Sequence, residues 1–206
     1  MMASVVVELD DRPLERVPAD LVVVGFSPDD RPLRGGAGRA DWRLCGELWG
    51  LVTSRKLNGA LGEAALFSAA GSLRSPLLLV LGLGHRAELV VDTWCELGRD
   101  VVRRALDLGV NCAVLGLASD AANLGPEGTR ALFGGALAAT AEHSAELRFA
   151  IVGEGAPARI SELRSLEQAG LPAGASLRLP EGPEKSARIP SRRVGDFTYD
   201  QSLRFK

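Results

Sequence analysis

Short apolar runs alternate along the chain with stretches whose apolar residues recur every three or four positions, the pattern of strands alternating with helices. Residues 4–9 and 21–26 are runs of strand length separated by a proline-bearing polar turn. Within residues 39–56, Trp42, Cys45, Trp49 and Val52 fall at helical spacing and predict one helix with a buried stripe, ended by Leu57-Asn58-Gly59. Residues 64–69 and 77–83 read as two further strands joined through Gly71-Ser72. The clearest helix is predicted at 93–108. Trp94, Val101, Ala105 and Leu108 line its apolar face, Arg99, Asp100, Arg103 and Arg104 its wet face, and Gly109 takes the capping position. A strand at 112–117, a helix at 126–142, a strand at 147–152 and a short helix at 160–168 complete the order.

This pattern stops near residue 180, so residues 1–179 are expected to form one domain. Residues 180–195, containing "PEGPEKSARIPSRR", read as a basic, proline-bearing linker without apolar periodicity. Residues 196–206 alternate again: Phe197, Tyr199, Leu203 and Phe205 share one face, with Gln201 interrupting it. Such a tail can extend its own domain's sheet, dock on another subunit or protein by strand addition, or stay without structure.

At 206 residues, with 46% apolar and 24% charged residues, the composition is that of a globular chain able to bury a core. A net charge of −2 gives no general pull toward nucleic acid or an anionic membrane. Only residues 185–193 form a basic run, and such runs are usually solvated. Cys45, Cys95 and Cys112 form no CxxC pair and read as reduced core thiols, and with only His85 and His143 a zinc site is not expected. No secretory signal or membrane-length apolar run is visible, so the expected location is cytoplasmic.

Two glycine clusters invite a phosphate. Gly82-Leu83-Gly84-His85-Arg86-Ala87 follows a strand, but the next helix begins too late, and Asp100 and Asp107 fall inside that helix rather than at a strand end. It reads as a structural exit from a buried strand. Arg34, Gly35, Gly36, Gly38 and Arg39 form a candidate anion-binding loop directly before a helix, the alternative being a plain surface loop. Asp29-Asp30 beside it could hold a cation, although acids there are more often turn residues. Ser144 next to His143 is adjacency without triad context. No catalytic residue, metal site or cofactor site is expected.

"ADLVVVGF", the glycine-bearing loop, "LNGALGEAALFSAAG" and "SPLLLVLGLGHRAELVVDTWCELGRDVVRRALDLGV" together resemble the N-terminal domain of the cytosolic leucyl aminopeptidases. "GTRALFGGALAATAEHSAELRFAIV" resembles that domain's following helix and strand, so the likeness covers residues 4–153. It implies a macro-domain-like α/β fold, a three-layer α/β/α sandwich with a mixed sheet, here followed by an extended C-terminal tail. It implies also that Gly-Leu-Gly is structural. The family's two metal ions and catalytic Lys and Arg belong to a separate C-terminal domain whose Asn-Thr-Asp-Ala-Glu-Gly-Arg motif does not occur in this sequence. "AATAEHS" replaces the family's aromatic, basic helix ending.

The resulting expectation is a non-catalytic, stand-alone assembly, regulatory or protein-interaction module without cofactor. A protein partner or self-association would act through Phe197, Tyr199, Leu203 and Phe205, with neither nucleic acid nor membrane as partner. The alternative is a macro-domain-type binder or hydrolase of ADP-ribose or a related nucleotide. Gly35-Gly36-Ala37-Gly38 imitates the glycine run of such domains, but residues 26–33 lack the asparagine that precedes it, and "SDAANLG" at 119–125 follows a later strand.

Overall fold

A computed structural model describes residues 3–10, 12–69, 71–152 and 156–180. The linker from residue 181 and the tail residues Phe197, Tyr199, Leu203 and Phe205 lie outside the described residues.

In chain order the elements are β1 (Ala3–Asp10), β2 (Leu21–Phe26), α1 (Gly35–Arg43), α2 (Glu47–Thr53), β3 (Ala64–Ser68), β4 (Leu77–Gly82) and α3 (Val91–Asp107). They continue with β5 (Cys112–Leu115), α4 (Ala118–Ala121), α5 (Pro126–Glu142), β6 (Glu146–Val152), α6 (Ala156–Ala169) and β7 (Ala175–Arg178). The strands form one seven-stranded sheet in the order β3-β4-β2-β5-β6-β1-β7. All neighbours are parallel except edge strand β3, which runs antiparallel to β4.

Strand side chains point alternately to the two faces, and each face has its own core. Leu21, Val23, Leu79, Leu81, Phe149 and Ile151 pack with α3, α5 and α6. Val22, Val24, Leu78, Val80 and Val114 pack with α1 and α2. All six residues of β2 are buried because helices cover both of its faces, which is why it reads as an unbroken apolar run. The expected three-layer α/β/α arrangement with a mixed sheet is therefore present.

The single helix expected over 39–56 is instead two. Cys45 and Gly46 take positive φ angles of 55° and 85°, and the Asp41 carboxylate accepts the Trp49 backbone N–H at 2.9 Å, capping α2. The break rotates the expected stripe apart. Val52 and Leu48 are buried, Trp49 is half-buried, Cys45 is exposed, and Trp42 is 76% exposed. All three cysteines are free thiols, and Cys95 and Cys112 are only half-buried. The α3 prediction holds closely: Trp94, Val101 and Ala105 are buried, Leu108 is its half-buried C-cap, and Gly109 turns with φ 66°. Strand β7 was not expected; its four residues are too few and too polar to form a recognisable run.

Helices α3 and α5 meet backbone to backbone. A Cβ at Gly98 would lie 1.9 Å from the Leu132 carbonyl oxygen, and one at Gly135 1.9 Å from that of Cys95. Gly135→Ala is accordingly expected to lower stability by about 3 kcal/mol, because neither backbone can yield without separating the helices. Gly134→Ala, whose Cβ would meet nothing within 4 Å, is expected to gain about 0.5–1 kcal/mol from helix propensity. Thermal melts of the two variants should shift in opposite directions.

Candidate functional site

In an open parallel sheet the natural ligand position is the crevice beyond the C-terminal strand ends, where connections diverge to opposite sides. Here that place lies between β2 and β5: from β2 the chain turns to α1 on one face, and from β5 to α4 and α5 on the other. Three loops build it, following β2, β4 and β5.

The first two loops are latched together. Ser27 Oγ donates to the Gly84 carbonyl at 2.8 Å, while the Ser27 backbone N–H donates to Asp30 Oδ2 at 3.0 Å. Arg86 donates from Nε (3.2 Å) and Nη2 (2.6 Å) to Asp30 Oδ1, whose side chain is only 4% exposed. Asp29 accepts the Arg86 backbone N–H at 2.8 Å, and its Oδ1 lies 2.9 Å from His85 Nδ1. The Arg86 amide foremost, then His85, hold the Asp29 carboxyl down at about 2. The hydrogen bond to Asp29 and its charge in turn raise the His85 pKa. The cation that Asp29-Asp30 hold is thus supplied by the chain itself.

This latch settles the role of Gly82-Leu83-Gly84-His85-Arg86-Ala87. The Gly82, Leu83 and Gly84 amides donate to the Glu63, Phe26 and Gly59 carbonyls at 2.8, 3.0 and 2.8 Å. A Cβ at Gly82 would sit 2.0 Å from the Ala60 oxygen. These glycines serve backbone packing, and their amides are not available to a phosphate.

The candidate anion loop is not a loop. Arg34 is the N-cap of α1, and Gly35, Gly36 and Gly38 lie in its first turns. Gly36 is buried, 3.2 Å from Val24 and 3.4 Å from the Gly116 backbone measured at a Cβ position, so its smallness is required by packing. Arg34, Gly35, Gly38 and Arg39 line an open cleft of about 370 Å³ with Glu15 and exposed Trp42. Arg39 is already engaged there, its Nη2 lying 3.1 Å from Glu15 Oε1. Burial pushes the Glu15 carboxyl up, but the Arg39 hydrogen bonds and charge outweigh it and leave the group below its ordinary value.

The third loop adds the residue that sequence reasoning passed over. Asp120, on α4, reaches the N-terminus of α1: its Oδ1 lies 3.5 Å from where a Gly35 Cβ would be. No side chain caps α1, and its first turn has no acid of its own. Asp120 Oδ2 is buried without a hydrogen-bond partner. Burial, reinforced by Asp30 and opposed by Arg86, raises its pKa from 3.8 to about 7. The only sequence hint was an acid just after a strand end within "SDAANLG".

His143 Nδ1 lies 2.8 Å from the Ala139 carbonyl oxygen. Among the described residues no group of three or more His, Cys, Asp or Glu side chains is placed to hold a metal ion, and no helix is long and apolar enough to cross a membrane.

The model of the cytosol aminopeptidase family, N-terminal domain, matches residues 22–144. A probable cytosol aminopeptidase of Alkaliphilus oremlandii (strain OhILAs) is 27% identical over 92 residues, which are 45% of this chain and 18% of that protein. A mutant of tomato leucine aminopeptidase superposes with a TM-score of 0.56 at 16% identity, covering 79% of this chain and 35% of that one. A Trypanosoma brucei macrodomain solved in complex with ADP-ribose gives a TM-score of 0.57 at 18% identity, covering 79% and 68%. The chain therefore shares the macrodomain fold and spans about a fifth of the curated peptidase and a third of the solved one.

The buried carboxyl makes stability depend on pH in a defined direction. Between about pH 4 and pH 7 the folded chain keeps the Asp120 proton that the unfolded chain has released, so stability falls as pH rises through this window. The rise from 3.8 to about 7 bounds the loss at about 4 kcal/mol. Asp120→Asn, neutral throughout, is expected to raise the Tm at pH 8 clearly more than at pH 5. Equal shifts at both pH values would show that the carboxyl ionises freely.

Proposed function

Because the chain belongs to the cytosol aminopeptidase family through its N-terminal domain, we propose that it is a non-catalytic assembly or regulatory module, which docks on protein rather than binding or converting a small molecule. One observation carries this reading: the crevice is filled by the protein's own charges. An incoming diphosphate would meet Asp29, Asp30 and Asp120, while Arg86, the guanidinium facing it, is already bound to Asp30. The strand-exit amides are committed to carbonyls. In this reading the docking element is the alternating stretch at 197–206, whose Phe197, Tyr199, Leu203 and Phe205 recur at strand spacing in the sequence.

The second reading, a macro-domain-type binder or hydrolase of ADP-ribose, is favoured by the uncapped N-terminus of α1 beside Arg34 and by the ADP-ribose held by the trypanosomal macrodomain. Calorimetry separates the two. Titrating ADP-ribose into the full chain at neutral pH is expected to give no saturable heat. Saturable micromolar binding would establish the nucleotide reading instead. Removing residues 197–206 is expected to weaken self-association in sedimentation velocity. An unchanged mass distribution would reject these residues as the docking element.

A further inference from the structure

Helix α1 has two faces of opposite character. Gly36, Ala37 and Ala40 are buried on the side that meets the sheet. Gly38, Arg39 and Trp42 recur at helical spacing on the other side, where they line the open cleft with Glu15, Leu33 and Arg34. Trp42 is 76% exposed there, whereas Trp49 is half-buried and Trp94 is buried. Tryptophan is on average a well-buried residue. Set on a surface among arginines, it is the kind of side chain that dominates protein–protein contacts.

The charge around this ring is one-sided. Arg39 is paired with Glu15. Arg43, one turn further on, donates from Nε to the uncharged Ser72 carbonyl at 3.1 Å, and its charge also acts on Glu15. Arg74 joins the same turn, its backbone N–H donating to the Glu15 carbonyl at 3.0 Å. The exposed side chains of Arg34 and Arg74 have no acidic partner among the described residues. Four arginines thus gather around the Glu15 turn, and the one acid within α1, Asp41, is used to cap α2. Arg39 and Arg43 stand four residues apart, a like-charge pair that repels on a helix and that an anion between them would relieve.

We infer that this face of α1 binds an acidic segment of a protein partner. Carboxylates of the segment pair with Arg34 and Arg43, and an apolar side chain between them lies against the Trp42 ring. Guanidinium groups hold carboxylates through paired hydrogen bonds, and the aromatic anchor supplies the apolar contact. A nucleic-acid strand suits the cleft less well, since it needs several stacking rings along a basic track. The cleft offers one ring and includes Glu15 in its lining, on a chain of net charge −2. The inference rests on the protein-docking reading and adds to it a surface and the chemistry of its partner. It does not involve residues 197–206.

The test titrates the full chain with a peptide of Asp and Glu residues around a central Leu-Phe pair, followed by amide NMR. Saturable shifts are expected at residues 33–43 and at the Trp42 indole N–H, and they should weaken strongly in about 0.5 M salt. Trp42→Ser, and separately Arg34→Ser combined with Arg43→Ser, alter exposed side chains. Both are expected to leave the thermal melt nearly in place and to weaken binding about tenfold. The same peptide with Asn and Gln in place of its acids is expected to leave the spectrum unchanged. No saturable shift with the acidic peptide would overturn the proposal, as would equal shifts with the neutral one. Tighter binding of a thymidine oligonucleotide at these residues would assign the face to nucleic acid, and shifts on concentrating the chain alone would assign it to a second copy. Either result also overturns it. A chain that loses self-association without residues 197–206, yet whose α1 amides ignore the peptide, would keep the docking reading and lose this one.

Discussion

The ion pair between Arg86 and Asp30 is the contact on which the character of this protein's strand-end crevice depends. It joins the loop leaving β2 to the loop leaving β4, and the Asp30 side chain is 4% exposed. A buried charge without its partner costs several kcal/mol, so neither group can readily be released to a ligand. Asp29 strengthens the same latch by accepting the Arg86 amide. Once these loops are fixed, the Arg86 cation nearest the mouth is neutralised by Asp30.

That arrangement separates what a fold offers from what a chain does with it. A parallel strand end beside the N-terminus of a helix is suited to anions by geometry and by the helix dipole. In this chain Asp120 stands at that helix end, and its burial there keeps it protonated up to about pH 7. Function resides in such side chains rather than in the scaffold, so likeness to an ADP-ribose-bound macrodomain at 18% identity carries the fold alone.

The central strands were legible in the sequence because β2 and β4 are covered on both faces and read as continuous apolar runs. Helix α3 was legible because a wet and a dry face persist over several turns. The break between α1 and α2 was not, since Asp41 caps the second helix across an eight-residue separation, and periodicity carries no information about such a bond. The site was half legible. Asp29 and Asp30 were noticed as loop acids, but their partners His85 and Arg86 lie 56 residues away, and only the adjacency of β2 and β4 brings them together.

The glycines show most clearly why a motif needs its surroundings. Gly82 and Gly84 have the spacing of a dinucleotide fingerprint, and Gly35, Gly36 and Gly38 that of an anion cradle. In both clusters the absent side chain is needed by the protein itself. The Ala60 oxygen lies where a Gly82 Cβ would be, the Leu33 oxygen 2.7 Å from that of Gly38, and Val24 with Gly116 against that of Gly36. Gly98 and Gly135 do the same for two helices whose sequences carry no phosphate-binding signature at all. Close approach of backbone to backbone therefore accounts for glycine here in ligand-like and ordinary contexts alike. A glycine run becomes evidence for a ligand only when its amides remain uncommitted, and at the exit of β4 the carbonyls of Glu63, Phe26 and Gly59 have already taken them.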